Sequence, residues 1–212
     1  GEAISTHPDT PVISFTGGTV TGAKIAKVAA PMFKKLSLEL GGKNPNIIFA
    51  DADFEQAVEM AVKASFRNQG QICLCGSRLL VEKPIFEKFK LAFVEKTKKL
   101  KVGDPKEKND LGAVVSKPHM NKILEKIELA KKEGGKVLCG GHQIILDGEL
   151  KDGYYVAPTI IEGLDAFCDT NQEEIFGPVV TIMPFENEGH AVEIANSTKY
   201  GLAASIFTQD IS

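Results

Sequence analysis

The residues best suited to chemistry stand in Gly70–Arg78, G-Q-I-C-L-C-G-S-R, where Cys73 lies between two glycines. Gly70 and Gly76 carry no side chain, so a substrate or a neighbouring backbone can come close to the thiol. A cysteine in such a loop reads in two ways, as a nucleophile or as a small, half-buried hydrophobe. A second stretch, Leu36–Pro45, L-S-L-E-L-G-G-K-N-P, bears on the choice. Glu39 is set there in an apolar, strand-like run, and a carboxylate in such surroundings is expected to be paired or working. A thiol that attacks and a carboxylate that takes a proton make a pair suited to covalent catalysis.

The elements that must position these groups follow from hydrophobic periodicity. Val12–Phe15 reads as a strand, T-G-G-T as a glycine turn and Val20–Phe33 as an amphipathic helix. Strand, glycine turn and helix aim backbone N–H groups and a helix N-terminus at a phosphate, although such turns are common and this one is not the G-x-G-x-x-G fingerprint. Leu36–Leu40 and Asn46–Ala50 read as strands. Asp51 or Asp53 then caps a helix with Phe54, Ala57, Val58, Ala61, Val62 and Phe66 on its apolar face. That helix fades at Arg67–Gly70. Cys73 therefore follows a helix C-terminus, whose partial negative charge works against an anion, so its activation needs a base or a local set of N–H donors.

Downstream, Ser77–Val81 is a predicted strand, and Pro84 suits the first turn of a helix reaching Leu100. The basic end of that helix, Lys96–Lys101, reads as a solvated face rather than a nucleic-acid site. Val102–Pro105 is a turn, and Pro118–Lys132 a helix. Lys136–Cys139, Val156–Ile161, Val179–Phe185 and Ala203–Thr208 are strands, with a polar loop over Gly140–Gly153 and a helix over Glu188–Ser197. Alternating elements of these lengths predict an α/β fold, a largely parallel twisted sheet with helices on both faces.

Composition narrows the function classes. Hydrophobic residues make up 43% and charged residues 25% of 212, and 25 basic against 28 acidic residues leave a formal net charge of −3. Nothing in that balance suits a polyanionic partner, so no nucleic acid is expected. No apolar run reaches the roughly 20 residues that span a bilayer, so no membrane partner is expected. With no signal peptide and four cysteines, a reducing cytoplasmic setting with free thiols is the expectation. Cys73 and Cys75 are spaced C-x-C, no H-x-x-x-H pattern links His7, His119, His142 and His190, and no metal site is expected.

L-E-L-G-G-K-N-P followed by F-R-N-Q-G-Q-I-C resembles the aldehyde dehydrogenase superfamily, with 34 positions (73 − 39) between Glu39 and Cys73. F-T-G-G-T-V-T-G at Phe15–Gly22 and E-E-I-F-G-P-V at Glu173–Val179 are similar to two further family motifs. Four motifs in order cover essentially the whole chain, and I-C-L-C-G-S-R with S-F-T-G-G-T resembles the muconic semialdehyde dehydrogenases in particular. The resemblance implies that Cys73 is the nucleophile and Glu39 the base. It places Thr16, Gly17, Gly18, Leu40, Glu174 and Phe176 against an NAD or NADP cofactor, with Glu174 on the nicotinamide ribose and Phe176 beside it. Gly18 stands where the family often has serine. Read without the resemblance, Glu173–Pro178 is structural.

The family's chains are much longer. The resemblance therefore implies that residues 1–40 are the C-terminal part of a dinucleotide-binding domain and 41–212 an aldehyde-dehydrogenase-like catalytic domain, incomplete at its C-terminus. It implies a small aldehyde substrate and a homo-oligomeric full-length parent. Two readings stand side by side: part of an aldehyde-oxidising enzyme, or a non-catalytic fragment or structural domain without a complete cofactor site. A cysteine-plus-glutamate hydrolase of another family is a third.

Overall fold

The computed structural model describes residues 1–210. The chain divides into two compact units, Gly1–Gly41 and Gly42–Ser212.

The first unit comprises α1 (Glu2–Thr6), β1 (Val12–Thr16), α2 (Thr19–Ala29) and β2 (Lys35–Glu39). β1 and β2 pair in parallel, with Thr16 opposite Glu39. The predicted helix over 20–33 is shorter, because Pro31 has no N–H to donate and a single 3₁₀ turn, Ala30–Met32, replaces the last α-turn. Alternation decides which β2 side chains are covered. Leu36 and Leu38 are half-buried, while Lys35, Ser37 and Glu39 share the opposite, exposed face. Glu39 is therefore not the buried carboxylate its apolar neighbours suggest. Those leucines lie on the other side of a two-residue repeat.

The second unit carries β3 (Pro45–Ile48), α3 (Phe54–Phe66), β4 (Arg78–Glu82), α4 (Phe86–Thr97), α5 (Lys117–Lys132), β5 (Lys136–Cys139), β6 (Gln143–Ile144), β7 (Tyr155–Val156), β8 (Thr159–Glu162), α6 (Asp169–Gln172), β9 (Val179–Phe185), α7 (Glu188–Ala195) and β10 (Ser205–Phe207). The main sheet runs β10-β3-β4-β9-β8-β5. Its pairs are parallel except for β5 with β8 at the edge. The predicted strand over 156–161 is two. Pro158 cannot donate to a ladder, so Tyr155–Val156 pairs with β6 in a separate ribbon and Thr159 starts β8.

Both faces of the sheet are covered, which is the α/β arrangement its strands call for. Ile48, Leu79, Val81, Val180 and Ile182 pack with α3 and α4. Ile47, Leu80, Met183 and Phe185 point the other way, towards Ala191 and Ile194 of α7. Ile161 and Val179 pack with Met120, Ile123 and Ile127 of α5. The strands read as continuous apolar runs because successive residues are buried on opposite faces. Phe89 stacks on Phe93, with centroids 6.3 Å apart, and Phe93 on Phe66 at 6.1 Å. Such pairs add about 0.5–1.5 kcal/mol each beyond burial.

Caps set the helix starts. Asp53, not Asp51, accepts from Gln56 N–H at 3.0 Å to begin α3. Asp51 instead accepts from the Thr208 hydroxyl and the Gln209 and Asp210 N–H groups, which holds the end of β10. No helix among the described residues is long and apolar enough to cross a membrane.

Candidate active site

The cysteine loop is built by local strain held from outside. After α3, Asn68, Gln69 and Gly70 take φ of 52°, 56° and 68° in succession. Left-handed backbone costs about 1–2 kcal/mol for each non-glycine residue, so it needs support. Asn68 Nδ2 donates to Gln71 O at 3.1 Å. Gln69 accepts from Gly112 N–H at 3.0 Å and donates to Ala113 O at 3.3 Å, so its amide imitates a strand partner. Gly70 is required by space as well as by φ. A Cβ there would lie 2.1 Å from the Gly177 carbonyl oxygen. This close approach brings the cysteine loop against the Glu173–Pro178 segment.

The chain then makes a turn over Ile72–Cys75, closed by Cys75 N–H donating to Ile72 O at 3.0 Å. Cys73 and Leu74 are its central residues. Among the described residues neither N–H finds a protein acceptor, as expected for the outward-facing amides of a turn. Cys73 is half-buried. Burial pushes the thiols of Cys75, Cys139 and Cys168 up, which makes them poorer nucleophiles at neutral pH.

Cys73 and Cys75 line one cavity with Gly42, Gly70, Glu174 and Phe176. Glu174 Oε1 accepts from Gly42 N–H at 3.2 Å. Phe176 is itself left-handed, φ 57°, and partly exposed. Its carbonyl accepts from His119 Nε2–H at 2.6 Å, and Lys126 pairs with Glu173, so α5 steadies this segment from below.

The remaining candidates sit together in the first unit. Thr16 ends β1 beside Glu39, and Gly17 N–H donates to Glu39 O at 3.0 Å. Carboxyl ends of parallel strands are where ligands sit in open α/β sheets. Gly18 is the N-cap of α2 and supplies no side-chain acceptor; its carbonyl takes the Thr21 N–H at 3.0 Å, so the Thr19 and Val20 N–H groups are the ones left for another partner. Leu40 packs on α2 at Gly22, where a Cβ would stand 2.5 Å from Leu40 Cδ2.

These observations agree with a direct likeness. Residues 1–212 match the aldehyde dehydrogenase family. This chain belongs to that family. It is 47% identical to 2-aminomuconic semialdehyde dehydrogenase of Danio rerio over its whole length, and that alignment covers 44% of the relative. It is 43% identical to human 4-trimethylaminobutyraldehyde dehydrogenase, covering 43% of it. A crystal structure of betaine aldehyde dehydrogenase from Staphylococcus aureus, in complex with NAD+ and with one cysteine modified by BME, superposes on all of the chain. Its TM-score is 0.96 at 44% identity, with 43% of that chain covered. The chain thus spans less than half the length of the relatives it matches.

The aldehyde dehydrogenase fold also contains two residues that sequence reading passed over. Lys43 is 1% exposed, and burial, with the Arg78 guanidinium second, pushes its pKa down to about 7. Arg78 is 1% exposed and donates to the carbonyls of Lys43, Ile194 and Ala195 at 2.9, 2.7 and 2.7 Å. It caps the C-terminus of α7, where a cation is favoured. The only signal in the sequence was two cations flanking apolar strand runs, which usually marks a strand end.

Lys43 gives a pH prediction. Between about pH 7 and the unfolded value near 10.5, the unfolded chain binds a proton at Lys43 that the native chain does not. Stability therefore rises with pH across that window, by at most about 1.4 kcal/mol per unit, and the penalty is fully present below it. Lys43→Met removes this contribution. Urea unfolding at pH 7 and 9 should show the wild type gaining at least about 1 kcal/mol on the variant. Parallel profiles would mean that Lys43 is charged in the native state throughout.

Proposed function

We propose that this chain carries the nucleophile and the nicotinamide-facing residues of an NAD(P)-dependent aldehyde dehydrogenase. In this reading residues 1–40 are the end of the dinucleotide-binding domain and 41–212 most of the catalytic domain. The observation that carries it is the cysteine turn. Cys73 stands at its centre with two uncommitted N–H groups, in one cavity with Glu174 and Phe176, within a chain of this family. The relatives' names point to an aldehyde, and the muconic semialdehyde class fits the 47% identity to the zebrafish protein.

The cofactor side fits as well. Uncapped N–H groups at the start of α2 suit the pyrophosphate, and Thr16 and Gly17 at the carboxyl ends of β1 and β2 suit the nicotinamide half. Leu40, Glu174 and Phe176 complete the contacts, with the Glu174 carboxylate on the ribose. When bound, the dinucleotide accepts a hydride.

Cys73 gives its thiol proton to solvent, Sγ attacks the aldehyde carbon as the thiolate, an S–C bond forms and the carbonyl π pair moves onto oxygen. The Cys73 N–H donates to that oxyanion. Loss of hydride from the same carbon restores the C=O as a thioester. Glu39 then takes a proton from water as the water oxygen adds, the S–C bond breaks, and the acid leaves with the thiol regenerated. An exposed Glu39 has access to solvent water, as this role requires.

The test is NADH formation from NAD and a small aldehyde, by this chain and by a full-length protein carrying it, with mass spectrometry for an acyl group on Cys73. Acylation of another residue would reject the assignment. Glu39→Gln is expected to leave the first-turnover burst of NADH and lower steady-state turnover by roughly 10²–10⁴-fold, the worth of a general base. Loss of burst and turnover together would give Glu39 an earlier role.

A further inference from the structure

We infer that Asn44 is a positioning residue for the cysteine turn, a role that rests on Cys73 being the nucleophile. Asn44 is 3% exposed and lies just before β3. Its Nδ2 donates to the carbonyl of Cys73 at 2.6 Å and to that of Cys75 at 3.0 Å. Its Oδ1 accepts from Ala203 N–H at 3.1 Å, which fixes which end of the amide is which. One buried amide therefore spends both of its N–H groups on the two cysteine carbonyls and anchors its oxygen to the segment before β10.

The turn makes this possible, because its second and fourth residues, Cys73 and Cys75, present their main-chain carbonyls to one fork of donors. Gly42 tightens the same grip. A Cβ at Gly42 would stand 2.8 Å from the Cys73 carbonyl oxygen and 2.8 Å from Asn44 Oδ1, so this carbonyl sits in a notch that only glycine leaves open. The consequence reaches the chemistry through peptide planarity. The Cys73 carbonyl and the Leu74 N–H belong to one trans peptide and point in opposite directions. Holding the carbonyl on Asn44 sets the plane of the peptide that follows the nucleophile, keeps the Leu74 N–H turned away, and keeps Cys75 buried behind the turn.

The readout is the ratio of iodoacetamide labelling rates at Cys73 and Cys75, by peptide mapping, with Cys139 and Cys168 as internal references. It needs no aldehyde oxidation, so it separates this role from the proposed function. In the wild type Cys73 is expected to label faster. Asn44→Asp keeps the shape and replaces both donors by acceptors facing two carbonyls. Asn44→Asp and Asn44→Ala are each expected to lower the ratio about fivefold or more, the worth of one or more lost hydrogen bonds. Asn44→Ser, with a single donor, should fall between them and the wild type. Met183→Ala, a truncation in the cluster around Phe185 that contains no cysteine, should leave it unchanged.

A ratio within about twofold of the wild type in folded Asn44→Asp would show that shape and not donation holds the turn, and would overturn the role. So would a rise at Cys139 and Cys168 in step with Cys75, which is the mark of general loosening. If the Asp and Ala variants do not fold, the Ser variant decides by the same criterion. In an active full-length enzyme the matching signature is a fall in kcat with an unchanged KM for the cofactor.

Discussion

Cys73→Ser is expected to lower aldehyde-dependent NADH formation by roughly four to six orders of magnitude, the range seen when a nucleophile is removed from a working site. Serine keeps the size and place of the side chain, so the turn closed between Ile72 and Cys75 should survive. What is lost is the nucleophile itself. A hydroxyl ionises far less readily than a thiol, and among the described residues no histidine lines the cavity that holds Cys73. Cys75 cannot substitute, since it is 8% exposed and burial raises its pKa. The check is steady-state NADH formation in a full-length protein, beside a Cys75→Ser variant that should keep most of its turnover. Retention of more than about a tenth of the wild-type rate in Cys73→Ser would place the nucleophile elsewhere.

Gly70→Ala is expected to cost about 3 kcal/mol or more of folding stability, large for the addition of one methyl group. Two effects combine. The residue sits at φ 68°, where a Cβ is penalised by about 1–2 kcal/mol. That Cβ would also stand 2.1 Å from the Gly177 carbonyl oxygen and 2.5 Å from its carbon, both backbone atoms with no rotamer to escape into. Either the cysteine loop or the 174–178 segment must shift, and the two line one cavity. The measurement is urea unfolding, joined to the labelling rate of Cys73 in the folded variant. Gly76→Ala is the milder comparison, since its nearest contact is a side-chain carbon of Asn46 at 3.1 Å. A loss below about 1 kcal/mol at Gly70 would mean that the loop has another seat available.

Much of this was legible from local pattern. The cysteine between glycines, the four motifs, the α/β alternation and most element positions are encoded within five to fifteen residues, the range over which periodicity and capping act. Asp53, one of the two residues that short-range chemistry offered, caps its helix. The errors were local as well. Pro31 and Pro158 remove donors that a pattern of apolar residues cannot report, so one helix came out shorter and one strand became two.

The sequence by itself determined which groups are available: a thiol, several carboxylates, and the glycines that let chains approach. Only the tertiary structure decided which of them meet. Glu174 reaches Gly42 across 132 positions, Asn44 holds the cysteine turn across 29, and Ala203 holds Asn44 across 159. Such pairs leave no periodic trace, because the strands that carry them are neighbours in a sheet of order β10-β3-β4-β9-β8-β5 and far apart along the chain. Local sequence sets the dihedral angles and the exposed face of each element. Burial of the whole sheet sets their order, and with it the site.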